Sequence, residues 1–86
     1  MNDMVLWRPV AEQRLAALWT SVSDRNVVTR AAHAIDEALR TDPEQVGESR
    51  ADEVRILFEE PLGALFMVSP DDRTVYALSV WRTDRR

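Results

Sequence analysis

Residues 54–81 contain three short apolar runs: VRILFE (54–59), LGALFMV (62–68) and TVYALSVW (74–81). Each run has the length of a β-strand and is rich in β-branched, aromatic or aliphatic residues. Glu60-Pro61 separates the first two runs, and SPDDR (69–73) separates the last two, so both connections have hairpin length. This stretch therefore predicts a three-stranded antiparallel meander.

Two amphipathic helices are predicted ahead of the meander. The first starts at Pro9, which suits the first turn of a helix. The second is capped by Ser23 or Asp24 and runs to about Arg40, before Asp42-Pro43 stops it. The turn between them is short, which predicts an antiparallel helix hairpin. Both helices carry apolar stripes at helical spacing, formed by Ala11, Leu15, Leu18, Trp19 and Val22 and by Val27, Val28, Ala31, Ile35, Ala38 and Leu39.

The remaining segments complete an α+β fold in a single domain, residues 1–86. MVLW (4–7) predicts a short N-terminal strand, and the polar stretch 42–53 predicts a loop. The order strand, helix, helix, strand, strand, strand places the helix hairpin on one face of a small antiparallel or mixed sheet.

The alternation within the strands predicts which side chains share a face. In the first meander strand, Val54, Ile56 and Phe58 alternate with Arg55, Leu57 and Glu59. One of these faces is expected to pack on the helices and the other to carry a charged residue in reach of solvent. The second meander strand is almost entirely apolar, so a central position is predicted. In the last strand both alternating sets are apolar, so the sequence does not decide which set faces the core.

Composition excludes several classes of function. The chain has no cysteine and one histidine, so no disulfide, thiolate chemistry or metal site is expected, and no cofactor is predicted. The net charge is −4, and every basic residue is an arginine. An acidic domain is a poor general binder of nucleic acid, because counterion release needs clustered positive charge. Without a secretory signal or a membrane-length apolar run, a cytoplasmic location is expected.

Five segments in order along the chain carry a resemblance to a known family. They are WRPVAEQRLAALW (7–19), DRNVVTRAAHAIDEAL (24–39), DPEQVGESR (42–50), RILFEEPLG (55–63) and VSPDDRTVY (68–76). This set resembles the RelE/ParE toxin superfamily over nearly the whole chain. The resemblance implies a toxin of a bacterial type II toxin–antitoxin, or plasmid stabilisation, pair, neutralised by a cognate antitoxin protein. RelE-like members cut mRNA on the ribosome, whereas ParE-like members inhibit DNA gyrase.

The residues that would carry nuclease chemistry are mostly missing. RelE-like nucleases need cations on the open sheet face, together with groups that transfer the proton of the ribose 2′-OH. Where the family carries an arginine in the second meander strand, this chain has Gly63-Ala64-Leu65-Phe66, and the family's C-terminal tyrosine is absent. We therefore expect a ParE-like or catalytically degenerate toxin. A ribosome-dependent mRNA endonuclease and a non-toxic interaction module are the alternatives, so enzymatic activity stays open.

The candidate site residues follow from the same comparison. Arg55 and Arg82 are the candidate catalytic residues, although an arginine stays protonated and supplies no general base. The candidates for binding a phosphate or a partner are Arg50, Arg55, Trp81, Arg82 and Arg85.

Each of these residues also has a purely structural interpretation. Arg55 could pair with Glu59 on its own face of the strand, and Trp81 could pack at the end of the sheet. His33 lies off the apolar stripe and is expected to face solvent, and Tyr76 is expected to pack.

Overall fold

The chain forms two helices and five strands. The computed structural model describes residues 3–20, 25–51 and 53–83. In chain order the elements are β1 (Met4–Trp7), α1 (Pro9–Thr20), α2 (Arg25–Thr41), β2 (Glu48–Ala51), β3 (Val54–Glu59), β4 (Leu62–Ser69) and β5 (Thr74–Arg82). The two helices, the N-terminal strand and the meander are where the sequence predicts them. The predicted cap at Ser23 or Asp24, and Val22 of the first stripe, lie outside the described residues.

The strands form one mixed sheet in the order β1-β5-β4-β3-β2. β1 runs parallel to β5, and the other neighbouring pairs are antiparallel. β4 is the third of the five strands, so the central position predicted for it is confirmed. A strand in the middle of a sheet has partners on both sides, and its near-continuous apolar sequence fits that position.

The hydrophobic core lies between α2 and one face of the sheet. Alternate residues of β4 point toward α2, and all of them are almost completely buried: Leu62, Ala64, Phe66 and Val68. The helix contributes one side at spacings of three and four residues, which places these side chains on a common stripe: Val28, Ala31, Ile35 and Leu39. α1 packs more loosely, and among its residues Ala11 is buried.

The stretch 42–53, predicted as a loop, contains a strand, so that prediction is wrong. Glu48–Ala51 pairs antiparallel with β3 at the edge of the sheet, with a bulge between Ser49 and Ala51. The four residues of this strand are all exposed, so they lack the apolar alternation by which a strand is recognised in a sequence. Their charged side chains are typical of an edge strand that must not pair with another chain.

β3 packs on the helices through the face that also carries its charged residues. Leu57 is 9% exposed and belongs to the core, so Arg55 and Glu59 share its face. Phe58 is 52% exposed and points to the other side. The expectation that the charged residue lies on the face opposite the helices is therefore wrong. The register shows why, since Leu57 pairs with the buried Ala64 of β4.

A bulge in β5 settles the core face of the last strand. The partners of Leu65 and Phe66 are Ser79 and Ala77, so Leu78 is an extra residue in β5. Val75 and Ala77 are buried before the bulge, and Val80 is buried after it. Both alternating sets thus contribute to the core, and for this reason the sequence pattern alone does not distinguish them.

Candidate functional site: the open face of the sheet

The face of the sheet opposite the helices is largely apolar. Residues that pair directly across strands share a face, and the register defines rows of side chains across the sheet. One row contains Leu6, Tyr76, Met67 and Val54. The next contains Leu65 and Ile56, with Ser79 at one end and Glu48 at the other. The last contains Trp81, Gly63 and Phe58. We call this surface the open face and define it by eight apolar or aromatic residues: Leu6, Val54, Ile56, Phe58, Leu65, Met67, Tyr76 and Trp81.

The large side chains of the open face are partly exposed. Leu6 is 44% exposed and Phe58 is 52% exposed. The other six residues are half-buried. A contiguous apolar surface that stays accessible to water is typical of a binding site.

Trp81 and Phe58 form an aromatic pair at one end of the open face. Their ring centroids are 6.3 Å apart and the ring planes are nearly perpendicular, at 83°, which is the edge-to-face arrangement that aromatic pairs prefer. Gly63 lies between them in the register, and a β-carbon at this position would be 2.7 Å from Cε2 of Trp81. The indole therefore lies against the backbone of β4, and the glycine makes room for it.

The arginines of the strands are divided between the two faces. On the open side, the bulged residue Arg50 has its Nη2 atom 3.5 Å from the Glu48 carboxylate. Arg82 is paired with the buried Leu62, which places it on the helix side of the sheet. Arg55 is also on the helix side. Of the site residues predicted from the sequence, only Arg50 and Trp81 lie on the open face, and Arg85 lies outside the described residues.

Arg55 holds the segment that precedes β2. Its Nε atom donates a hydrogen bond to the Val46 carbonyl at 2.9 Å, and its Nη2 atom donates one to the Gly47 carbonyl at 3.1 Å. Gly47 has a positive φ of 72°, which only glycine adopts without strain. The guanidinium thus fixes a turn, rather than standing free for a phosphate.

A concave surface lies between the two helices, on the other side of the sheet from the open face. This helix groove has a volume of about 420 Å³ and is lined by Trp7, Glu12, Leu15, Ala16, Trp19, Val28, Thr29, Ala32, His33 and Asp36. Across it, the indole N–H of Trp19 donates to the hydroxyl of Thr29 at 2.9 Å, and the guanidinium of Arg25 stacks on the Trp19 ring. His33 is exposed here, as predicted.

Asp36, which lines the helix groove, forms an ion pair within α2. Arg40 donates to the carboxylate of Asp36 one helical turn before it, and this hydrogen bond and the charge of Asp36 raise the pKa of Arg40. Among residues 3–20, 25–51 and 53–83, no group of three or more His, Cys, Asp or Glu residues is arranged to hold a metal ion. No helix in the same ranges is long and apolar enough to cross a membrane.

The arrangement of helices and strands places the chain in the class of α+β proteins with a helix hairpin on one face of a five-stranded sheet. Solved structures of the RelE/ParE toxins and their complexes share this architecture. No protein-family model matches the chain, and a search of curated proteins finds no relative.

Three solved structures illustrate the similarity. The complex RelBE2 of Mycobacterium tuberculosis contains a chain with a TM-score of 0.78 and 16% identity, over 98% of this chain and 95% of that one. A chain of the chromosomal ParDE system of P. aeruginosa has a TM-score of 0.69 and 23% identity, over 95% and 97%. The isolated RelE toxin of E. coli has a TM-score of 0.68 and 13% identity, over 98% and 87%. The fold of this chain is the RelE/ParE fold, which confirms the resemblance at the level of architecture.

Apart from Trp81, the apolar residues of the open face are the candidate site residues that the sequence prediction misses. Val54, Ile56 and Phe58 alternate regularly, a pattern that is normally typical of a core face. The signal that identifies them is the apolar character of both faces of β4, because only one face of the sheet is covered by helices.

Proposed function

We propose that this chain is the toxin component of a type II toxin–antitoxin pair and that it acts by binding a protein target. It is ParE-like or catalytically degenerate, it works in the cytoplasm, and a cognate antitoxin neutralises it. The observation that carries the proposal is the composition of the open face, which is apolar and aromatic and, within the described part of the chain, holds one strand arginine, itself paired with Glu48.

The positions of the candidate catalytic arginines support the absence of nuclease chemistry. Cleavage of RNA through the ribose 2′-OH requires cations around the phosphate and a group that accepts the proton, all within hydrogen-bond reach of one another. Arg55 and Arg82 lie on the helix side of the sheet, and Arg55 is bound to the carbonyls of a turn. His33 lines the helix groove, on the opposite side from the open face.

The similarity to toxin–antitoxin complexes supports a protein partner. One structure with this fold is the RelBE2 toxin–antitoxin complex. Another comes from a chromosomal ParDE toxin–antitoxin system. A thin core in a domain of this size also benefits from a bound partner, because binding to the native state stabilises it.

Expression of the chain alone in a bacterium tests the proposal. We expect growth arrest with filamentation and a DNA-damage response. Co-expression of the protein encoded by the open reading frame next to this gene should relieve both. The purified chain is expected to inhibit supercoiling by DNA gyrase. Cleavage of mRNA within codons on the ribosome would instead establish an endonuclease. If expression does not arrest growth and the chain does not bind the protein encoded by the adjacent gene, the chain is a non-toxic interaction module.

Two arginine variants separate the protein-binding toxin from the nuclease. Arg50→Ala removes the strand cation on the open face, and Arg82→Ala removes a cation from the other face. A protein-binding toxin should keep its toxicity in both variants. Loss of toxicity in either one, at an unchanged folded fraction by circular dichroism and together with loss of mRNA cleavage that the parent chain performs, would contradict the proposal and favour nuclease chemistry.

A further inference from the structure

We propose that the helix groove binds a small organic amine with a flat, apolar body. This inference is independent of the proposed function, because the helix groove lies on the other side of the sheet from the open face. Its volume of about 420 Å³ falls in the range of natural small-molecule sites, which is roughly 300–1,000 Å³. Such sites combine mostly apolar walls with a few polar groups that orient the ligand, and the helix groove has both.

One hydrogen bond shows how the two walls of the helix groove face each other. Trp19 of α1 donates to Thr29 of α2, so these two residues lie at the same level. Residues 21–24 join the helices, and helices joined so closely run antiparallel. Seven residues back along α1 and seven residues on along α2 therefore reach a second common level, which is that of Glu12 and Asp36.

Small side chains leave the hollow in the middle of the helix groove. Ala16 and Ala32 lie at one level between the two ends, and neither fills the space between the helices. Seven residues of helix span about 10 Å, so the hollow is short. The Trp19–Thr29 hydrogen bond bridges the helices at one end of it. A partner helix of about 12 residues would be roughly 18 Å long, whereas a molecule of two fused rings with a short side chain matches this length.

Two tryptophans supply aromatic walls whose positions are fixed without a ligand. Trp19 is 41% exposed, yet its N–H is bonded to Thr29 and the guanidinium carbon of Arg25 lies 4.9 Å from its ring centroid. Trp7 is half-buried and packs against the hydrophobic core. An aromatic surface that is already fixed loses little conformational freedom when a flat molecule stacks on it. The walls therefore favour a ligand with an aromatic body.

The charges of the helix groove favour a cation at the end opposite Trp19. Asp36 accepts from Arg40, so these two charges largely offset each other. Within the described residues, the Glu12 carboxylate forms no hydrogen bond or ion pair. An ammonium group beside Glu12 gains an opposite charge, whereas a carboxylate there is repelled. Because Arg25 stands at the Trp19 end, the amine of the ligand lies near Glu12 and its rings lie near Trp19.

Three probes with one indole body test the preference for a cation: tryptamine, the alcohol tryptophol and the carboxylate indole-3-propionate. The chain is labelled with 5-fluorotryptophan, and its ¹⁹F resonances are assigned with single Trp→Phe variants. We expect tryptamine to shift the Trp7 and Trp19 resonances in a saturable way and to leave Trp81, on the open face, unchanged. Tryptophol should bind at least about threefold more weakly, which is the effect of one exposed ion pair, and the carboxylate more weakly still.

Three results of this titration would overturn the proposal. They are equal affinities for the amine and the alcohol, a Trp81 shift as large as the Trp19 shift, and no saturable shift by tryptamine below about 10 mM. No partner protein enters the measurement, so its failure leaves the toxin–antitoxin assignment untouched.

A matched pair of variants tests the role of Glu12. Glu12→Gln removes the charge from the helix groove, and Glu37→Gln makes the same change at an exposed position of α2 that does not line it. We expect Glu12→Gln to weaken tryptamine by at least about threefold and to leave tryptophol unchanged, whereas Glu37→Gln should alter neither. Equal effects of the two variants on tryptamine would contradict the assignment of Glu12.

Ala16→Leu tests the hollow itself. Position 16 is exposed on α1 and leucine is a good helix former, so the variant should fold, which circular dichroism checks. The larger side chain occupies the space opposite Ala32, and we expect it to abolish the saturable shift of the Trp19 resonance with both tryptamine and tryptophol. Unchanged binding in this variant would show that the amine binds elsewhere and would overturn the proposal.

Discussion

The two faces of the sheet are both apolar, but only one of them is covered. On the helix side, Leu62, Ala64 and Phe66 of β4 are completely buried under α2. On the open side, Leu65 and Met67 of the same strand are only half-buried, and Phe58 of β3 is mostly exposed. The covered face accounts for the stability of the domain. The apolar side chains of the open face are left accessible to water, which is typical of a binding surface.

The two phenylalanines of the chain test this comparison most strongly, because each lies on a different face. Phe66→Ala empties a site that is 0% exposed, and we expect it to lower the free energy of unfolding by about 3–5 kcal/mol, which is a large part of the stability of so small a domain. Phe58→Ala removes a side chain that is half in water and should cost about 1 kcal/mol or less. Urea denaturation of both variants measures the difference.

The same pair of variants should show the opposite order in binding. Phe58→Ala is expected to weaken the complex with the partner, whereas Phe66→Ala should leave the affinity of the folded fraction unchanged. Similar unfolding free energies for the two variants would mean that the open face is part of the core, and the contrast between the faces would be lost.

The second prediction concerns the glycine under Trp81. A β-carbon at Gly63 would approach Cε2, Nε1 and Cζ2 of the indole to between 2.7 and 2.9 Å, so the ring must move. We expect Gly63→Ala to cost about 1–3 kcal/mol, as overpacking usually does, and to lift Trp81 away from the sheet. Fluorescence of the variant, with Trp7 and Trp19 replaced by phenylalanine, should show a red-shifted Trp81 emission. As a control, Gly63→Ala should cost clearly less in a background that carries Trp81→Ala.

The extent to which the sequence predicts the fold differs between the core and the edges. Both helices, the hairpin connections and the central position of β4 follow from periodicity and turn residues, because these signals are local. β2 could not be predicted, since its four exposed residues become a strand only through pairing with β3. The core face of β5 depends on the bulge at Leu78, and a one-residue shift exchanges the two faces of a strand.

The sequence predicts less of the candidate site than of the fold, because the site depends on which face the helices cover. The sequence indicates Arg55 and Arg82 through their chemistry, and the register places both on the helix side. The sequence also indicates Trp81 as a residue that binds a partner, and it lies on the open face next to Phe58. Spacing along a strand says which residues share a face but leaves open which face meets the core.

The third prediction addresses the role of Arg55. If this side chain fixes the turn before β2, Arg55→Ala should lower the free energy of unfolding by about 1–2 kcal/mol, because two carbonyl groups lose a charged donor. Hydrogen exchange should accelerate at the amides of Glu48–Ala51, and less at the central strand β4. If toxicity disappears while exchange in β2 and the unfolding free energy stay unchanged, Arg55 acts on a ligand and its assignment to the turn is wrong.

The smallest expected effect is that of Arg50, the strand arginine on the open face. Its side chain is 51% exposed and its distance to Glu48 is 3.5 Å, so Arg50→Ala should change the free energy of unfolding by about 0.5 kcal/mol or less, as exposed ion pairs usually do. The informative measurement is the salt dependence of partner binding. If apolar contact dominates, the affinity of the parent chain should vary little between low and high salt, and Arg50→Ala should alter that variation only slightly. A steep salt dependence that disappears in Arg50→Ala would mean that the open face binds its partner through charge. The two faces of the sheet would then differ in function because of their charges, rather than because one is exposed and the other buried.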